Sequence, residues 1–80
     1  METRVAIIAI IVENAESVSE INRILHDYTD SIIGRMGLPY RQKNMNIISV
    51  MMDAPHNDIS ALSGKIGRLD GVSAKTVYSK

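Results

Sequence analysis

Two stretches of this chain carry the same pattern forty residues apart. Met45-Asn-Ile-Ile-Ser-Val-Met-Met-Asp53 echoes Val5-Ala-Ile-Ile-Ala-Ile-Ile-Val-Glu13, and each apolar run leads into an amphipathic stretch and then a shorter apolar run. A chain built this way folds as two copies of one strand-helix-strand unit. Val5 to Val12 is dominated by β-branched residues and stops at the polar segment Glu13 to Glu16, which favours a strand over a helix of equal length. Ser17-Val-Ser-Glu20 matches a capping box, after which Val18, Ile21, Leu25 and Tyr28 recur on one helical face, giving a helix from about Ser17 to Tyr28. Ile32 to Met36 reads as a second strand, broken at Gly37-Leu38-Pro39 because proline lacks the N–H that a ladder needs.

The second copy follows the same order. Polar Arg41 to Asn44 forms a turn, Asn46 to Met52 a third strand, and Asp53-Ala54-Pro55 closes it. Asn57 or Asp58 caps a second helix whose Ile59, Leu62, Ile66 and Leu69 repeat the first stripe, and Gly71 supplies a left-handed stop before a fourth strand, Val72 to Tyr78. The order β-α-β-β-α-β predicts an α+β, ferredoxin-like sandwich in one domain, residues 1–80: a four-stranded antiparallel sheet with two helices on one face. Many functions use this topology, so it does not choose among them.

The predicted strands carry more apolar surface than such a sandwich hides. Ile8, Ile10 and Val12 alternate with Val5, Ile7 and Ile11, and Ile48, Val50 and Met52 alternate with Ile47 and Met51. Val72 and Ala74 continue the first set while Ser73 and Lys75 fall on the other face, which assigns the first set to the helices. Ile7, Ile11, Ile47 and Met51 are left uncovered. A patch of that kind marks an interface, and a chain of 80 residues buries only about 60–65% of its unfolded surface, so a homo-oligomer, dimer or tetramer, is expected.

Composition removes several classes of function. Without cysteine there is no disulfide scaffold, thiolate metal site or thiol redox catalyst, and a reducing cytoplasm is the expected location. The run Val5 to Val12 is far shorter than the roughly 20 residues of a membrane span and has no signal-peptide cleavage site. Net charge is zero but unevenly spread. Residues 31–52 hold Arg35, Arg41 and Lys43 with no acidic residue, whereas residues 1–30 hold Arg4 and Arg23 against Glu2, Glu13, Glu16, Glu20, Asp27 and Asp30.

Candidate chemistry is sparse. His26 and Asp30 offer two metal ligands of weak geometry, and His56 between Asp53 and Asp58 is better explained by turn and helix-start chemistry. Met51 and Met52 point to opposite faces of a strand and cannot converge on one ion. No metal site, no cofactor and no nucleophile with its base can be assigned, so an enzyme is not expected. RNA-recognition sheets of this topology stack bases on aromatics of the central strands, yet Tyr28, Tyr40 and Tyr78 all lie outside them, so this chain alone is not expected to bind nucleic acid directly and specifically. There remains Ile32-Ile-Gly-Arg-Met-Gly-Leu-Pro-Tyr-Arg41, where a glycine inside a short strand implies a bulge or a close backbone approach. Arg35, Tyr40, Arg41 and Lys43 form the candidate ligand or partner site, and protection of a sheet edge is the competing explanation for the same residues.

Gly34-Arg-Met-Gly-Leu-Pro-Tyr-Arg41, Ile47-Ile-Ser-Val50, Asp53-Ala-Pro55, Ile59-Ser-Ala-Leu-Ser-Gly-Lys-Ile-Gly-Arg-Leu69 and Lys75-Thr-Val-Tyr-Ser-Lys80 together resemble the iron-only hydrogenase system regulators, over nearly the whole chain. The resemblance implies an ACT-like domain, similar in architecture to the C-terminal sensing domain of the nickel-responsive repressor, and a regulatory role. The nickel site of that domain does not transfer, because it needs a cysteine and histidines that no predicted strand here supplies. The expected function is a non-catalytic regulatory module, transcriptional or specific to a hydrogenase system, acting as a homo-oligomer that senses a small molecule or contacts a regulatory partner. The alternative is a structural interaction subunit without a ligand.

Overall fold

In the computed structural model, which describes residues 2–80, the alternation of the strands decides what is buried. β1 (Arg4–Val12) buries Ala6, Ile8, Ile10 and Val12, and β3 (Met45–Ala54) buries Ile48, Val50, Met52 and Ala54. The two strands pair antiparallel with Ile8 opposite Val50 and Ile10 opposite Ile48, so the buried residues share one face. α1 (Val18–His26) adds Ile21, Ile24 and Leu25, and α2 (His56–Gly67) adds Ile59, Leu62 and Ile66, to a single core. Burying a side chain of this size contributes about 1.5–3 kcal/mol, so both helices are held by their apolar stripes far more than by intrinsic propensity.

β2 (Ile32–Tyr40) and β4 (Val72–Tyr78) complete an antiparallel sheet in the order β2-β3-β1-β4, with both helices on one side. The element order is β-α-β-β-α-β, as the repeat predicts. β2 does not end before Pro39, contrary to expectation: Pro39 lies within the strand, opposite Asn46. The reason is its place in the sheet, since an edge strand needs only one of its two hydrogen-bonding sides and tolerates a missing N–H. The register between β2 and β3 slips between Ile32 and Gly34, which is the bulge that the glycine signals. A Cβ at Gly34 would meet nothing within 4 Å, so no close approach within the subunit requires the glycine.

Both predicted helix caps are corrected. Ser17 has helical backbone angles and makes no capping bond to α1; the Asn14 side chain instead accepts from the Glu16 N–H and opens a 3-10 turn, Ala15–Ser17, that runs into the helix. The Ser17 hydroxyl donates to the Asp70 carbonyl at 2.6 Å, a tertiary bond that competes with the local cap. α2 starts at His56 behind Pro55, and neither Asn57 nor Asp58 caps it, because both already lie within the helix. Gly71 has φ +69°, the left-handed conformation its type predicts.

Candidate functional site

The side of the sheet away from the helices is the largest distinctive surface. Successive residues of a strand point to opposite faces, so burial of Ile8 and Ile10 forces Val5, Ile7, Ala9 and Ile11 outward. Three rows of side chains cross all four strands there. Gly34, Met51, Ile7 and Val77 form one; Met36, Ser49, Ala9 and Lys75 the next; Leu38, Ile47, Ile11 and Ser73 the third. The middle row is small at its centre and the two flanking rows are apolar apart from Ser73, and Val5 and Tyr40 extend the apolar surface at opposite ends.

Of the residues singled out from sequence, Ile7, Ile11, Ile47 and Met51 all lie on this face, with Ile7 opposite Met51 and Ile11 opposite Ile47. Ile7 is 43% exposed and Ile47 37%, unusual values for isoleucines in the two central strands. Met36, Leu38 and Val77 are more exposed still, at 67%, 59% and 66%. Sequence reasoning missed these three. Alternation along β4 would have found Val77, which has the opposite parity to Val72 and Ala74, but the bulge after Ile32 resets the parity of β2 and the expected stop at Pro39 took Leu38 out of a strand.

The group Arg35, Tyr40, Arg41 and Lys43 is not brought together on one face. Arg35 pairs with Val50 on the helix side and donates from its guanidinium to the Asn22 Oδ1 of α1 at 2.8 Å. Tyr40 has the opposite parity, opposite Met45 on the open face, and Arg41 and Lys43 sit exposed in the 3-10 turn between β2 and β3. Tyr40 lies five positions after Arg35, and a strand sends residues an odd number of positions apart to opposite sides.

Arg35 instead forms one wall of a cleft of about 240 Å³ between α1 and the start of β2, lined also by Asn22, Leu25, His26, Thr29 and Ile32. Leu25 and Ile32 give it an apolar floor. Polar groups surround that floor: the Asn22 amide, the His26 imidazole, the Thr29 hydroxyl, which donates to the His26 carbonyl at 2.7 Å, and the Arg35 guanidinium. His56 is accounted for elsewhere. Its ring lies 5.3 Å from that of Tyr78, which also carries the Arg4 guanidinium at 4.3 Å from its ring centre. Among the described residues there is no group of three or more His, Cys, Asp or Glu side chains placed to hold a metal ion, and no helix is long and apolar enough to cross a membrane.

The comparisons with known proteins concern the chain as a whole. No curated protein matches it. Among solved structures, the uncharacterized protein TM1266 from Thermotoga maritima is similar, with a TM-score of 0.94 and 38% sequence identity over 99% of this chain and 100% of that one. The family model described as "TM1266-like: Iron-only hydrogenase system regulator, putative" matches residues 4–76, leaving only a few residues at each end. With β1 to β3, both helices and the Gly34 to Arg41 segment all within the matched region, the chain belongs to the TM1266-like family.

Proposed function

We propose that this protein is a non-catalytic regulatory module that works as a homo-oligomer, its subunits joined through the open face of the sheet. The observation that carries this reading is the apolar character of that face across all four strands, from Leu38 on β2 to Val77 on β4. Monomeric proteins rarely leave so much contiguous apolar surface in water, because each buried Å² of it contributes about 25 cal/mol. The family description supports the regulatory part. Light scattering at micromolar concentration tests the assembly: a mass of two or more chains is expected, and a monomer overturns it.

The α1–β2 cleft favours a small-molecule effector over a purely structural subunit. Its volume, about 240 Å³, is below the usual range for drug-sized ligands, and its combination of apolar floor and Arg35 guanidinium suits a small organic acid. A thermal-shift screen of small carboxylic acids tests this, since a ligand that binds the folded state raises the melting temperature. A rise that disappears in Arg35→Ala is expected. No shift with any acid, alongside an intact oligomer, favours the structural subunit.

A further inference from the structure

The rows on the open face define how two copies fit together, which deepens the oligomer reading above and rests on it. We infer that two subunits pack open face to open face about a two-fold axis lying between β3 and β1 and running nearly parallel to the strands. The occupant of the face is therefore a second copy of this chain.

Each flanking row is tall over the two central strands and asymmetric at its ends: Gly34 at one end faces Val77 at the other, and Leu38 at one end faces Ser73 at the other. A two-fold axis along the strands exchanges β2 with β4 and β3 with β1. It places Val77 over the partner's Gly34 and Leu38 over the partner's Ser73. The same operation sets Met51 against the partner's Ile7 and Ile47 against the partner's Ile11, while the small pair Ser49 and Ala9 meet in the centre. In both flanking rows the large end residue finds a small one, which is the interdigitation that sheet packing needs.

An axis in the same plane but across the strands also matches large with small, by placing Leu38 over the partner's Gly34. Lys75 separates the two arrangements. It is the charged residue of the middle row, and an axis across the strands sets it against the partner's Lys75, a like-charge contact at the edge of an apolar interface. An axis along the strands sets it beside the partner's Met36 instead. There its aliphatic stem covers the 67% exposed Met36 side chain and its ammonium reaches water past the edge of the sheet.

The area is sufficient. Four strands about 4.8 Å apart and seven residues long at about 3.3 Å each project roughly 450 Å² per copy, and protruding side chains raise the accessible area above the projection. Two copies thus bury on the order of 1,000 Å², the size at which interfaces become specific. Gly34 fits the same picture. A Cβ there has open space within the subunit, so the room that Gly34 leaves is available to a side chain arriving from outside.

The chain has no cysteine, so introduced thiols report contacts without background. Met36→Cys and Lys75→Cys are made singly and co-expressed, their mass is checked by light scattering, and a short bismaleimide is added. A covalent dimer is expected from the co-expressed pair, with little from either variant alone. Cross-linking of Lys75→Cys with itself overturns the axis along the strands in favour of the axis across them. Dimers by scattering that cross-link in neither combination overturn the register while leaving assembly intact. A monomer by scattering overturns the oligomer reading itself.

Discussion

The Asn14 side-chain amide donates to the Asp70 carboxylate at 2.7 Å, joining the end of β1 to the turn that leads into β4. The Glu13 N–H donates to the Gly71 carbonyl at 2.7 Å beside it, so the two segments are held by backbone as well as side chain. A Cβ added at Gly71 would lie 2.7 Å from the Asn14 Cβ and 2.9 Å from its backbone nitrogen, on a residue already at positive φ. Gly71→Ala should therefore lower stability by about 1–3 kcal/mol in urea denaturation, combining left-handed strain with a clash. Asn14→Ala should cost about 1 kcal/mol through loss of the turn cap.

Ile7 and Ile8 are neighbours in sequence and opposites in role. Ile8 is fully buried against the helices and Ile7 faces outward. Ile8→Ala should cost about 2–5 kcal/mol by leaving a cavity in the core. Ile7→Ala should leave the secondary structure by circular dichroism unchanged and lower the melting temperature only at concentrations where the oligomer forms.

Ile47→Asp places a carboxylate among the apolar side chains at the centre of the open face. Light scattering should show the mass falling to that of a single chain while the far-ultraviolet circular dichroism is retained. Gly34→Val should weaken association in the same assay, because its new side chain meets no atom of its own subunit within 4 Å of the Cβ.

Glu20 and Arg23 form a two-bond ion pair on exposed α1, with distances of 3.0 and 2.8 Å. The hydrogen bond from Arg23, aided by its charge, holds the Glu20 carboxyl below the ordinary glutamate range. A carboxyl whose folded pKa is depressed adds stability above its unfolded pKa and loses that contribution as pH falls through the folded value. The solvent exposure of both side chains keeps the effect small. In an NMR titration, Arg23→Gln should raise the Glu20 inflection toward the ordinary value.

The doubled apolar pattern was enough to read the element order, the helix stripes and the parity of the central strands, because periods of two and of 3.6 are local properties of a chain. Gly71 was legible for the same reason: glycine is the residue type best suited to a left-handed turn. The two caps were not legible. Ser17 satisfies its local motif on paper, but its hydroxyl bonds to Asp70, 53 residues away, and local spacing cannot register a competitor at that distance.

The candidate site divides in the same way. Ile7, Ile11, Ile47 and Met51 share a face because alternation within each central strand, set by sequence, requires it. The separation of Arg35 from Tyr40, the cleft beneath Arg35, and the extension of the apolar face to Met36 and Leu38 were decided by tertiary structure. All three depend on how β2 pairs with β3: the bulge after Ile32 sets which side Arg35 and Met36 face, and continuation through Pro39 carries Leu38 and Tyr40 into the sheet. Pairing of that kind is an energy between two strands, which the pattern within either one does not contain.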